Sequence, residues 1–300
     1  MLDQLHGADA TGQQAQEAAV DIVSAQPQRI IDTHLHLIEP ERFTYPWIAD
    51  EPPLQRTFNL KAYWDDAKPL GIAAALHMEV DVSPDQVEAE ATHVTGLGVP
   101  IVGAIAGCRP DLPAFAEQVG RLAANPHVKG VRHVFQGKPE IYENPLLVEN
   151  LRRLAPLGLT FDLCVLGHEL PLATALAAEC PEVQFVLDHC GKPGPGPLET
   201  WKTDLAALAR LPNVACKFSG LISYAAPVHW TLQDLRPAAE HVITTFGWDR
   251  LVWGSDWPVC TLTGSLTRWV AATHVLLRGS TPAEQDKLLA TNAERIYRLV

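Results

Sequence analysis

Residues 29–40 read "RIIDTHLHLIEP", which puts two imidazoles one residue apart behind a run of apolar and β-branched side chains. Side chains at i and i+2 of an extended chain share one face. If this stretch is a strand, His34 and His36 leave its end together, as a pair of nitrogen ligands or proton carriers would. The same spacing also suits an ordinary surface pair. Which reading holds depends on the elements that carry the pair and on what else they bring to it.

Short apolar runs recur along the chain. Strands are predicted at residues 29–34, 72–80, 100–107, 128–134, 159–166, 183–189, 213–220 and 250–257. They are rich in Val, Ile and Leu and nearly continuous in apolarity, as strands covered on both faces should be. Helical segments alternate with them. "SPDQVEAEATHVTGLG" opens on Ser83 as an N-cap, with Pro84 in the first turn, and closes on glycine. "DLPAFAEQVGRLAAN", "PLLVENLRRLAPLG", "LPLATALAAECP" and "TWKTDLAALARLP" carry apolar residues at helical spacing. Eight strand–helix alternations predict an α/β fold, a (β/α)8 TIM barrel in a single domain over residues 29–300. An open doubly wound sheet is the alternative, but no G-x-G-x-x-G follows the first strand.

The bulk properties narrow the function. With 47% hydrophobic and 19% charged residues the chain has an ordinary globular composition. No stretch reaches the roughly 18 apolar residues of a membrane span. A net charge of −12 argues against a nucleic-acid groove or an anionic membrane as partner. The six cysteines show no C-x-x-C spacing, and several lie in apolar runs, which suits buried free thiols in a reducing cytoplasm. Residues 1–28 lack a basic start followed by an apolar core, so they read as a loose N-terminal extension, not a secretory signal.

In such a barrel the active site lies at the C-terminal ends of the strands. Strand 1 ends in His34 and His36, strand 2 near His77, Glu79 and Asp81, and strand 4 in Arg132 and His133. Strand 6 ends in Asp188 and His189, strand 7 near Lys217 and Ser219, and strand 8 in "GSDWP" with Asp256 and Trp257. Each has a bland alternative: a turn-capping Asp, a core histidine, a rim ion pair. Their gathering at one end of so many strands is hard to explain as packing.

"IIDTHLHL", "FVLDHCGKPG" and "RLVWGSDWPV" resemble the amidohydrolase superfamily, and within it the amidohydrolase-2 branch of lactonases similar to L-fuconolactonase and 2-pyrone-4,6-dicarboxylate hydrolase. "ERFTYPWI" and "KGVRHVFQ" look like that branch too, so the resemblance spans residues 29–300. It implies a distorted TIM barrel whose reaction centre is His34, His36, His189 and Asp256. The sequence departs from the superfamily plan in two places. Strand 5 offers only Cys164 inside the strand and His168 beyond it where a histidine is expected, and Arg132-His133 stands where a bridging lysine would be. Both departures argue against a binuclear site.

The resemblance therefore implies one divalent metal, zinc, held by His34, His36 and Asp256 with His189 as a fourth ligand or supporting partner. In the metal-free alternative the three histidines stabilise the oxyanion directly. In either case Asp256 is the general base. The expected substrate is a small lactone, an aldonolactone or a carboxylated one. Arg132, Arg109, Lys192, Lys217 and Glu79 are candidates to bind it, and Tyr45 and Trp47 to wall the site from the long segment after strand 1. A lactone isomerase or a metal-dependent decarboxylase on the same barrel is the alternative enzyme, and a non-catalytic binding protein the alternative class. Barrels of this kind also form homo-oligomers. There is no G-x-S-x-G to suggest a serine nucleophile.

Overall fold

The computed structural model describes residues 28–299 apart from 195 and 225–228. The predicted N-terminal extension falls almost wholly outside the described residues. Eight parallel strands are hydrogen-bonded in chain order: β1 (Ile30–Leu35), β2 (Ile72–Met78), β3 (Ile101–Gly107), β4 (Val128–Val134), β5 (Thr160–Cys164), β6 (Phe185–Leu187), β7 (Val214–Phe218) and β8 (Leu251–Trp253). Helices follow the strands, among them Val87–Thr95, Phe115–Ala123, Leu170–Glu179, Glu199–Ala209, Leu232–Phe246 and Leu266–Leu276. This is the predicted TIM barrel.

β6 and β8 are much shorter than their apolar runs suggest. Both stop where the backbone turns left-handed, with φ of 52° at His189 and 58° at Asp256 closely following. The expected cap at Ser83 is also corrected. Its side chain makes no capping bond, because a 3-10 turn at Pro84–Gln86 intervenes and the α-helix begins only at Val87.

The barrel interior holds Ile31, Leu76, Met78, Ile105, Val186, Ala215 and Val252. Ala290, Ala293, Ile296 and Tyr297 of the C-terminal segment join this cluster. Asn292 fixes that segment by donating to Trp248 O and Leu251 O, so the plug sits at the N-terminal ends of the strands. The opposite, C-terminal end is left for polar groups.

A regular ladder does not join β8 to β1. The seam is instead closed by bonds from the polar residues at the ends of these two strands. Thr33 Oγ1 donates to Trp253 O at 2.8 Å, Ser255 N–H to Asp32 Oδ1 at 2.8 Å, Asp256 N–H to His34 O at 2.9 Å and His36 N–H to Trp257 O at 2.8 Å. Among the described residues no helix is long and apolar enough to cross a membrane.

Candidate active site

The two imidazoles of "THLH" meet at the seam. His34 Nε2 lies 3.2 Å from His36 Nε2. Asp256 Oδ1 lies 3.7 Å from the first nitrogen and 3.5 Å from the second. All three side chains are buried. The neighbours of His36 fix which of its nitrogens carries the proton. His36 Nδ1 faces Met78 O at 3.1 Å, which can only accept, so the proton is on Nδ1 and the Nε2 lone pair points inward. His34 Nδ1 lies 3.3 Å from Asp188 Oδ1, which accepts, and 3.2 Å from Lys217 Nζ, which donates, so both neighbours hold the ring in place without assigning its proton. Burial, reinforced by the Lys217 ammonium, holds the His34 pKa well below its ordinary value and keeps the ring neutral. Two imidazole nitrogens and a carboxylate oxygen thus converge on one point.

His189 stands beside them. Its ring centroid is 4.3 Å from that of His34, its Nδ1 is 3.0 Å from Ser219 Oγ and 3.9 Å from Asp256 Oδ2. Burial pushes its pKa down to about 4. The Asp256 carboxyl is pushed up by burial, but His189 and His36 outweigh that and leave it below the ordinary carboxylate value. His34, His36 and Asp256 form one group able to hold a metal ion, and His34, Asp188 and His189 a second.

Beneath His34 lies a buried charge network. Lys217 Nζ is 2.5 Å from Asp162 Oδ2, 3.1 Å from Asp188 Oδ1 and 3.2 Å from His34 Nδ1. Arg132 binds Glu79 Oε1 at 2.6 Å and Glu79 O at 2.8 Å, and reaches Asp188 Oδ2 and His34 Nε2 at 3.3 and 3.5 Å. Tyr297 Oη donates to Asp162 Oδ2 at 3.1 Å, tying the C-terminal plug to the same network.

The backbone around the site is strained. Among the described residues six non-glycines have positive φ, and five of them are Asp81, His189, Cys190, Lys192 and Asp256, at the site's end of the barrel. Such conformations persist where the surroundings over-determine them, and they cluster at functional sites. Gly220 and Gly254 let the chain come close. A Cβ on Gly220, itself at φ 65°, would lie 2.6 Å from His189 Cβ, and one on Gly254 would lie 2.8 Å from His34 Cβ.

A cavity of about 630 Å³ adjoins the centre, walled on the inner side by Glu79 and Arg132 and further out by Arg109, His133 and Lys138. The other sequence candidates are distributed differently. Lys192 points to Gln136 Oε1 and to Cys164 Sγ, the latter at 3.4 Å. Tyr45 Oη accepts from Glu39 N–H at 3.0 Å, and Trp47 Nε1 donates to Val80 O at 2.7 Å, so both brace the segment after β1; only Pro46 between them reaches the cavity wall. His168 is exposed and lies outside both metal-capable groups, as does Cys164.

Two contributors were not singled out from sequence. Asp162 is the ionic partner of Lys217, and the only signal was a charge inside the apolar run "LTFDLCVL". Asp32 accepts from His34 N–H at 3.0 Å, from Ser255 N–H and from Tyr63 Oη at 2.8 Å, so it pins the seam.

A parallel barrel that gathers imidazoles and a carboxylate at the C-terminal strand ends has the architecture of a barrel hydrolase. Residues 31–299 match the amidohydrolase family Amidohydro_2, and the chain belongs to that family as a hydrolytic enzyme. An L-fucono-1,5-lactonase of Burkholderia multivorans is 29% identical over 299 residues, covering 90% of this chain and 96% of the relative. One from Burkholderia ambifaria is 33% identical over 197 residues, covering 63% of this chain and 67% of the relative. The crystal structure of an amidohydrolase from Burkholderia multivorans with bound zinc superposes with a TM-score of 0.82 at 26% identity, covering 91% of this chain and all of that one.

Two predictions concern stability. Lys217→Met leaves Asp162 and Asp188 buried without their ammonium, and breaking a buried pair from one side costs about 3–5 kcal/mol. Urea denaturation should show that loss; a midpoint unchanged from wild type would contradict the network. His133 has its pKa pushed down to about 4 by burial, then by Lys138 and Arg109. A histidine depressed in the folded state adds stability above its unfolded value of about 6.5, and loses it as pH falls toward 4. Between pH 7 and pH 5 that amounts to about 2 kcal/mol, so His133→Gln should flatten the fall in urea stability over this range.

Proposed function

We propose that this protein opens the ring of a small lactone, an aldonolactone or a carboxylated lactone, by water attack with Asp256 as general base. The convergence of His34 Nε2, His36 Nε2 and Asp256 Oδ1, 3.2–3.7 Å from one another, carries this reading. Asp256 is ionised at neutral pH and its Oδ1 faces the same point as the two imidazole nitrogens. A proton leaving a water held there has the carboxylate as its nearest basic acceptor. The lactonase relatives support a cyclic ester as the substrate.

The donor set fits a divalent metal. Ligands of tetrahedral zinc, bonded at about 2.0–2.1 Å, stand about 3.3–3.4 Å apart, close to the separations here. His34, His36 and Asp256 would hold it, with His189 beside them. When bound, zinc supplies polarisation of the ester carbonyl and a lowered pKa for water. The bound zinc of the Burkholderia multivorans amidohydrolase supports the same choice of metal.

The protein's own groups complete the site. The Met78 carbonyl orients His36 so that its Nε2 stays unprotonated, and Asp188 and Lys217 together hold the His34 ring. Arg132 keeps a fixed positive charge beside His34, held in place by Glu79 and Asp188, where a carbonyl oxygen gaining charge is stabilised. Ser219 steadies the His189 ring.

A pH-indicator assay on a panel of lactones tests the reaction. Wild type should release acid, and Asp256→Asn should lower kcat by about 10²–10⁴-fold. An unchanged kcat in that variant would remove Asp256 from the role of base. Metal analysis of the purified protein should give roughly one zinc per chain, with His36→Ala losing the ion and a chelator abolishing turnover until zinc is restored. Full activity in metal-free protein would rule out the metal.

A further inference from the structure

Arg132 both lines the 630 Å³ cavity and lies 3.5 Å from His34 Nε2, so that cavity is the adjoining space for the remaining atoms of a substrate whose ester lies at the centre. The guanidinium groups in its wall are already engaged. Arg132 binds Glu79 at 2.6 Å. Arg109 holds Asp111 through two bonds of 2.9 and 2.6 Å. Arg121 grips Glu88 through Nε and Nη2 at 2.8–3.0 Å. A substrate carboxylate would have to displace one of these carboxylates to gain a bidentate partner.

Other polar side chains in the same wall are different. Among the described residues His133, Lys138 and Asp81 make no side-chain hydrogen bond and no ion pair. His133 is only 8% exposed and packs edge-on against Phe135, so its ring position is set while its nitrogens stay open. Asp81 is held at φ 48° by its N–H donating to Glu79 Oε2 at 2.6 Å, a strained turn that places it next to the group flanking the centre. A neutral imidazole offers one donor and one acceptor, an ammonium only donors, a carboxylate only acceptors. Hydroxyl groups, which both donate and accept, can use all three. A second carboxylate cannot, and it would also face Asp81 and Glu79.

Resting on the lactonase reading, we propose that this cavity receives the uncharged, polyhydroxylated part of the lactone and that His133, Lys138 and Asp81 determine specificity by reading its hydroxyls. Carboxylated lactones are then disfavoured. A site built to bond a hydroxyl discriminates strongly against an analogue lacking it, because its polar groups are left unpaired.

The test compares kcat/KM on three probes: a tetrahydroxylated δ-lactone, unsubstituted δ-valerolactone and a γ-lactone bearing a carboxylate. Wild type should prefer the hydroxylated ring over δ-valerolactone by about tenfold or more. His133→Leu should collapse that ratio roughly tenfold, and so should Asp81→Ala, a change at an exposed position that spares the core. A wild type that prefers the carboxylated lactone, or variants that keep the wild-type ratio, would overturn the assignment while leaving the lactonase reading intact. Hydrolysis of none of the three, with Asp256→Asn equally silent, would overturn both.

Discussion

Asp188 is a carboxylate with no water to share its charge, and the site is arranged around that fact. Its two oxygens are divided between Lys217 and His34 on one side and Arg132 on the other. Burying such an ion is costly unless opposite charges and hydrogen bonds meet it. Meeting it draws side chains from strands or strand ends 1, 4, 6 and 7 to one point. Asp162 and Glu79 then balance the two cations, which brings in strands 2 and 5. The network has no spare member: each cation serves two carboxylates. That leaves the His34 ring one orientation, with Nδ1 toward Asp188 and Lys217 and Nε2 toward His36 and Asp256.

The second constraint is the seam between β8 and β1. A three-residue strand cannot zip a barrel shut with a regular ladder, so side chains take over from backbone. Asp32 accepts from both edges, and the amides of His36 and Asp256 complete the join. The left-handed turn at Asp256 is what lets the chain leave β8 and still bond to β1. Closure and catalytic geometry are therefore one set of bonds. The Asp256 carboxylate faces the two imidazoles because its own N–H is tied to the residue that carries one of them.

Much of this was readable in the sequence. The barrel showed in eight apolar runs, and the strand-end residues stood out because polar groups there interrupt an otherwise apolar alternation. Ends of strands were less legible. The runs through His189 and Asp256 look extended because nothing in residue type marks a left-handed backbone at a histidine or an aspartate. Partnerships were least legible of all. Tyr45 and Trp47 have the composition of a pocket wall, yet their polar tips satisfy backbone groups, and only the folded path of residues 39–80 determines that. Asp162 was passed over as one charge inside an apolar run, because its partners Lys217 and Tyr297 lie far along the chain.

Ser255 and His34, whose atoms meet at the seam, are 221 residues apart in the chain. During synthesis β1 emerges early with its two imidazoles and waits for its last partner. A growing chain that has yet to reach Asp256 lacks the bonds from Asp256 and Trp257 that close the seam on β1. Under the proposed mechanism, activity therefore reports the docking of the segment after β8 against β1, two pieces of chain far apart in sequence.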